Sequence, residues 1–442
     1  MPKSTRIILI LVLAVFSSVA QEKWNYAEVD KKSFELYGQQ KWHELAQYAE
    51  QARKHEIDFF YLQARSGIAA FNLKKYRQAA DFFLQAWKSD QSYEWLQEYL
   101  YYSLLYSGRA VEASKVASKF SVAMKEKINF QNMKPMRAAL EIGYSFNPDF
   151  DALVNRSFDE ELNVGSDYGE AFILKNYHFE SVDYSHQLAL GLGINHNFTH
   201  LGINREEQVD WGVHYTFPIK TNQFQYFVNP YFVIGKKLNL SPSFNVIWGN
   251  SSYFLGGYTE PPIFREKEIK FADFILSLSS WSHFGNFSSG VEVNAANIYD
   301  VNLTQLSVWI TYYPFSNLNF YITPRIYLKK EEKDRSLSYN TFGISGGAQL
   351  GPVHFYGQYL NGDMKNFIEP AGYVVSNFPG RSEQKFTGSL YFPAGKKYQM
   401  VVRYINQDVF EKYNVYSNGF ISNQMEYKYI KHTLTAGLSW NF

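Results

Sequence analysis

The sequence predicts an α-plus-membrane-β chain: an N-terminal α-solenoid followed by an antiparallel transmembrane β-barrel of about 16 strands, with 14 possible. Three observations predict it. Residues 24–122 lack proline and carry a helical pattern that repeats every 34 residues. From Arg137 onward, apolar and polar residues alternate with period 2. After residue 20 there is no apolar run of about 18 residues, so a bundle of membrane-spanning helices is excluded.

Composition agrees. Of 442 residues, 18% are aromatic and 19% charged, against roughly 25% charged in soluble domains. Mean hydropathy is −0.33. Aromatic-rich, polar on average and free of long apolar runs is the profile of a barrel membrane protein. Lys+Arg is 43 and Asp+Glu 42, so the formal net charge of +1 gives no global attraction to nucleic acid. With no cysteine, disulfides, thiolate zinc sites, a cysteine nucleophile and an acylated lipoprotein cysteine are all excluded.

Residues 1–20 read as a signal peptide. Lys3 and Arg6 supply the positive end, Ile7 to Phe16 the apolar core, and Ser18-Val19-Ala20 the small residues before cleavage. The mature chain is expected to begin near Gln21.

Residues 21–122 form the helical part. Trp42, Tyr76 and Ala110 stand 34 residues apart, as do Leu45, Ala79 and Ala113. Ala49, Phe83 and Ala117 keep the step, and so do Ala52, Ala86 and Phe120. Gly67 falls nine residues before Tyr76. Small residues here let two antiparallel helices approach, while aromatics fill the groove against the next pair. This pattern resembles the tetratricopeptide repeat, in three degenerate copies. The resemblance implies a curved array whose concave face binds a protein partner. Tyr101 and Tyr102 are neighbours and cannot share one helix face, so at least one is expected to be exposed. They are the partner-binding candidates; packing against a barrel mouth is the alternative for the aromatics around them.

Residues 123–136 read as a linker and 137–442 as the barrel. Leu188, Leu190, Leu192 and Ile194 alternate with Gln187, Ala189, Gly191, Gly193 and Asn195. Leu306, Val308, Ile310 and Tyr312 alternate with Gln305, Ser307 and Thr311, with Trp309 out of pattern. Tight turns such as Phe284-Gly285-Asn286 and Gly351-Pro352 alternate with long polar loops, among them 329–335 and 361–383. Short turns on one rim and long loops on the other mark an outer-membrane barrel. Strand centres are expected near residues 142, 174, 190, 212, 228, 244, 255, 276, 291, 308, 323, 343, 356, 389, 402 and 436. The seventh is the weakest, and merging hairpins there gives 14. A lumen of this size admits water or an inserted loop. Leu190, Val308, Ile310 and Ile322 are midplane candidates on the lipid face.

At the C-terminus, Leu434, Ala436, Leu438, Trp440 and Phe442 lie on one face of a last strand. An ending in Phe after such alternation resembles the targeting signal read by the bacterial barrel-assembly machinery. The resemblance implies that Trp440 and Phe442 serve insertion. Signal peptide, repeats and barrel in this order resemble the YaiO-like outer-membrane proteins of Gram-negative Bacteroidota. Exopolysaccharide exporters and surface-lipoprotein assembly modulators share the order. The short repeat array and aromatic, Asn-rich barrel lean toward the YaiO-like group. The resemblance implies an outer-membrane location, with the repeats in the periplasm and the loops near Asp159, Glu260, Glu332, Glu369 and Tyr413 outside the cell.

Chemistry is sparse. His196 and His200 have metal-ligand spacing only if helical, and they sit in the strand region. Ser282-His283 has no supporting polar partner. There is no Walker loop and no dinucleotide fingerprint. No catalytic, metal or cofactor site is predicted. Glu141, Arg325 and Lys329 share the parity of the polar face and should line the lumen, with Arg403 joining them. Two functions survive: transport or export of a polysaccharide, protein or solute across the outer membrane, or a non-conducting anchor that presents the repeats. A lipid-modifying enzyme is third. Expected partners are outer-membrane lipid, the assembly machinery and a periplasmic protein; nucleic acid is not expected.

Overall fold

A computed structural model describes residues 24–442 apart from 158–167, 236, 237, 258–262, 334, 378 and 396. The signal peptide and the loops near Asp159 and Glu260 therefore lie outside the described residues. The chain folds into two compact units. One runs to Ser107 and includes Phe120–Met124; the other holds Gly108–Lys119 and Lys125–Phe442.

The first unit is helical. Its helices are α1 (Tyr26–Gly38), α2 (Trp42–Lys54), α3 (Phe60–Asn72), α4 (Tyr76–Ser89) and α5 (Glu94–Tyr106). α1, α3 and α5 begin 34 residues apart, as do α2, α4 and the next helix, α6 (Ala110–Ala117). The turns repeat as well. Gln40, Lys74 and Gly108 each adopt a left-handed conformation, with φ of 56°, 57° and 79°. Asn25 starts the first helix by accepting a hydrogen bond from the Glu28 N–H at 2.9 Å. The repeat positions form its packing: Leu45, Ala49, Ala52, Ala79, Phe83 and Ala86 are fully buried. A Cβ added at Gly67 would stand 2.5 Å from the Phe83 ring, so the α4 ring packs directly on the α3 backbone there.

The second unit is a closed antiparallel barrel of 14 strands. α6 belongs to it, because Lys115 Nζ donates to the carbonyls of Val233 and Gly235, each at 2.9 Å. A short α7 (Val122–Lys127) precedes the wall. The wall begins with β1 (Lys134–Phe146), which starts inside the stretch expected as linker. After α8 (Phe150–Ser157), a helix the alternation pattern did not predict, come β2 (Tyr168–Ala189), β3 (Leu192–Asp210), β4 (His214–Ile234), β5 (Leu238–Gly257) and β6 (Ile263–Phe284). β7 (Phe287–Ile298), β8 (Val301–Tyr312), β9 (Phe320–Glu332), β10 (Ser336–Leu350) and β11 (Val353–Gly362) continue it. A long connection carries the two-residue strands β12 (Phe367–Ile368) and β13 (Val375–Ser376). β14 (Gln384–Pro393), β15 (Tyr398–Ser417) and β16 (Phe420–Asn441) complete the wall. β16 pairs with β1 from Arg137↔Asn441 to Phe146↔His432 and closes the cylinder.

The count is 14, not 16. The expected centres at 190 and 212 are the turns on either side of β3, and those at 244 and 255 both lie on β5. The physical reason is length. β2–β6, β15 and β16 run 19–22 residues, twice the span the bilayer needs, whereas β7–β11 and β14 have 10–15. The barrel thus has a tall side and a low side.

At the loop rim the tall side closes on itself. β15 pairs with β2 above the end of β1, from Tyr413↔Ala171 to Tyr416↔Tyr168. Phe150, Ile173, Leu174, Val409, Tyr427 and Tyr429 pack into a small second core there. Inside it Arg205 meets Glu411 at 3.2 Å, and Glu411 accepts from the hydroxyls of Tyr427 and Tyr429. Tyr413, expected on an exposed loop, is buried in this core.

The outer face is apolar, with Leu140, Ile142, Val291, Val308, Ile326 and Leu434 exposed. Aromatic rings edge this band at both ends. Toward the short turns, Phe287 stacks between Phe284 and Tyr312, and Trp440 between Tyr398 and Phe442. Toward the loops, His432 stacks on Phe146 and Tyr404. A closed barrel with an apolar band between aromatic girdles is built to span a bilayer. Val308 lies within the band, whereas Ile310 and Ile322 adjoin the girdle ring of Tyr312. Leu190 is not a midplane residue: it occupies the two-residue turn between β2 and β3.

This placement gives a depth test. Val308→Arg should cost about 2–4 kcal/mol in reversible folding into lipid vesicles, and Leu190→Arg about 0–1 kcal/mol. Equal costs would mean that the band is placed wrongly.

Candidate functional site

The site is the lumen, and its main occupant is the chain itself. The inner faces of β5 and β6 carry Ser241, Ser243, Ser277 and Ser279, all buried. Such small side chains leave room against the wall. The β11–β14 connection, expected as a solvated outer loop, folds into that room.

Its tip is a 3-10 turn, Pro370–Gly372. Glu292 Oε2 accepts from the Ala371 N–H at 2.9 Å, and Asn245 Nδ2 donates to the Gly372 carbonyl at 2.8 Å. Ser243 Oγ also donates to the Ala371 carbonyl. A Cβ at Gly372, whose φ is +71°, would stand 2.6 Å from Ser277 Oγ, so only glycine seats the tip on β6. On either side, Gln305 bonds both the carbonyl and the N–H of Ile368, at 2.6 and 3.3 Å. Tyr373 reaches β2, its hydroxyl donating to Asp183 at 3.2 Å. Asn377 donates to Gln223 on β4 at 2.9 Å. An apolar layer joins these polar contacts: Ile368 and Val375 pack on Ile247, Ile275, Ile298 and Leu303. The connection therefore crosses the lumen and satisfies its backbone on the far wall.

The four residues expected in the lumen are all within the barrel, in two groups. Arg403 Nη1 meets Glu141 at 2.6 Å, and its Nε donates to Ser389 Oγ at 3.1 Å. This pair bridges β1 and β15 across the intervening β16. Arg325 and Lys329 share β9. Arg325 lies over the Trp309 ring at 4.1 Å, which explains the one break in the β8 alternation: Trp309 faces inward as a cation–π platform. Arg325 Nη1 also donates to Ser307 Oγ at 3.2 Å and stands 3.9 Å from Glu292. Lys329 binds the start of the inserted connection, through Asp363 at 2.8 Å and the Lys365 carbonyl. Glu369, expected outside the cell, is buried and paired with Lys385. Glu292, Gln305, Tyr373 and Asn377 were missed. Parity alone could have found Glu292, which sits between the outward Val291 and Val293.

Elsewhere, Tyr101 is buried and its phenol is pushed up by that burial, with Tyr102 adding to the shift. Tyr102 is half-buried and stacks on the exposed Tyr106. Trp440 and Phe442 are exposed, and the Phe442 N–H donates to the Met136 carbonyl at 3.1 Å. Ser282 and His283 are adjacent on β6, so the pleat turns them to opposite faces. His196 bonds the Tyr226 hydroxyl at 2.9 Å and stacks on His186, while His200 pairs with Glu180 at 3.0 Å.

The pair of Glu141 and Arg403 is testable. Arg403→Met should destabilise the barrel by about 1.5–3 kcal/mol, because it strands a carboxylate. Adding Glu141→Gln should recover most of that loss, measured as urea midpoints in vesicles.

No known protein family matches the chain, and no curated protein does. Among solved structures, the Pseudomonas putida toluene transporter TodX is 8% identical and covers 74% of this chain and 94% of its own, with a TM-score of 0.44. A Pseudomonas aeruginosa FadL homologue has the same identity and coverage and a TM-score of 0.45. An R50E mutant of MamA is 19% identical over 26% of this chain and 77% of its own, at a TM-score of 0.21. These are likenesses only; the barrel rests on its own strand pairing.

Proposed function

We propose that the protein is an outer-membrane transport barrel that passes a small solute through a lumen narrowed by its own β11–β14 connection. The observation that carries this reading is that connection, held across the lumen by Gln305, Glu292 and Asn245 among polar walls. A polar lumen with an inserted segment selects by size and charge. The charges near the constriction include Arg325, Glu292, Lys385, Glu369, Asp183 and Asp273. Export of a folded protein or a thick polymer would require the whole connection to leave, against its many hydrogen bonds. The reading is transport, not catalysis.

The helical unit we take as a tetratricopeptide-like module of the YaiO-like architecture, lying in the periplasm and recruiting a protein there. The 34-residue spacing of helices and of the left-handed turn residues Gln40, Lys74 and Gly108 supports it. The second reading, a non-conducting anchor, draws on the same inserted connection, since it also obstructs the lumen.

Conductance in planar bilayers separates the two. The intact protein should give small steps, and deletion of residues 366–377 should enlarge them several-fold. Silence from both proteins, each folded by heat-modifiable gel migration, would favour the anchor.

A truncation tests the module. Removing residues 21–107 should leave a heat-modifiable barrel with unchanged steps, because the barrel's backbone bonds close on themselves. Extending the cut through residue 119 removes Lys115 from Val233 and Gly235 and should lower the unfolding midpoint. A barrel that fails to assemble after the shorter cut would show that the helices are needed for the barrel's own fold.

A further inference from the structure

Four of the chain's ten histidines, His178, His186, His196 and His200, fall on the β2–β3 hairpin. They share the parity of Val182 and Tyr184, which are exposed on the outer face. Elsewhere that face is mostly apolar, so this hairpin departs from the rest of the wall.

Two of the four are engaged with each other and with a tyrosine. His186 and His196 stack at 5.4 Å, and His196 Nδ1 bonds the Tyr226 hydroxyl. The other two flank a carboxylate. In the antiparallel register Glu180 lies directly opposite His200, and His178 directly opposite Gly202. The glycine matters. A Cβ at position 202 would stand 2.4 Å from the His178 ring, so the ring lies over the space that any other residue would fill. That brings it toward His200, the two ring centres being 6.1 Å apart. Phe224, opposite His200 on β4, packs against its ring at 4.9 Å and limits its rotation. One ligand atom from each of His178, Glu180 and His200 lies within 4.8 Å of the other two.

We propose that this outer face carries a divalent-cation site of the zinc class, with His178, Glu180 and His200 as its three protein ligands. Two imidazoles and one carboxylate are the borderline donor set that zinc prefers over calcium or magnesium, which take oxygen alone. Three ligands on one side of the ion leave the fourth tetrahedral position open to water. Without a cation the His200 Nδ1–H donates to Glu180, 3.0 Å away; a bound cation takes the place of that hydrogen. The ligands need only small side-chain rotations to close from 4.8 Å to the spacing set by bonds of about 2.0–2.2 Å. In register Glu180 faces Ile142 and His178 faces Tyr144, just short of the Phe146 and His432 rings, so the site lies at the loop-side margin of the apolar band, where a bound cation would offset the cost of the Glu180 carboxylate. The site makes no use of the lumen and is independent of the transport reading.

The test uses the full chain, purified without a tag in detergent. Cobalt(II) is titrated as a spectroscopic stand-in, and zinc is then added in competition. Saturable one-to-one binding in the micromolar range or tighter, with the intense visible bands of tetrahedral cobalt, is expected. His178→Ala and His200→Ala should each weaken binding about 100-fold or more. The paired His186→Ala, His196→Ala variant should bind as the parent does. Gly202→Val keeps all three ligands but displaces the His178 ring, and should weaken binding about 10-fold. Heat-modifiable migration confirms that each variant is folded. Failure of the parent to saturate would overturn the proposal. So would undiminished binding by His200→Ala, or loss of binding only in the His186/His196 variant.

Discussion

The pairing of β1 with β16 is the constraint on which the rest of this structure depends. A bilayer offers no water to an unpaired backbone group, so the sheet must have no free edge within it. Ten residue pairs from Arg137↔Asn441 to Phe146↔His432 remove that edge. Closure also fixes parity. Once the register around the cylinder is set, every strand residue is committed to lipid or to lumen, and a one-residue slip would exchange the two. Val308 and Ser307 are neighbours with opposite solvents because of a hydrogen-bond ladder on the far side of the barrel.

Closing 14 strands creates a lumen too wide for side chains to fill, and the protein fills it with backbone. This shifts the problem from packing to hydrogen bonding, since each inserted peptide group must find a partner. The wall meets that need in two ways. Serines on β5 and β6 keep the wall thin, and longer amides and carboxylates, Gln305, Asn245 and Glu292, reach the inserted peptide groups. Charge is paired at the margins: Lys329 holds the start of the connection at Asp363, and Lys385 holds its middle at Glu369.

The barrel was legible in the sequence because period-2 alternation survives in most wall strands, and the helical region because small residues such as Ala49, Ala52, Ala79 and Ala86 recur at helical spacing and are fully buried. The strand count was not. Leu188, Leu190, Leu192 and Ile194 alternate without a break through the turn between β2 and β3, since a two-residue turn preserves parity. The hairpin therefore reads as one strand centred on its own tip. Glu141, Arg325 and Lys329 were picked out by parity, the same pattern that sets the face of any strand residue. The path of residues 363–383 was not, because its polar sequence suits a lumen wall as well as bulk water. Only tertiary contact decides between them. The histidine and carboxylate cluster was invisible for a further reason: its members are joined by register across two strands, whereas the spacing of His196 and His200 drew attention along one.

The four residue pairs that tie β15 to β2 above the end of β1 have a mechanical consequence. The seam where the first and last strands meet is the one place where a barrel can part without breaking a hairpin connection. Here a second ladder straddles that seam, with one anchor on each side of it. Separating β1 from β16 would leave the cylinder still buckled at the top. Opening of the wall at that seam is therefore opposed by a second set of backbone hydrogen bonds.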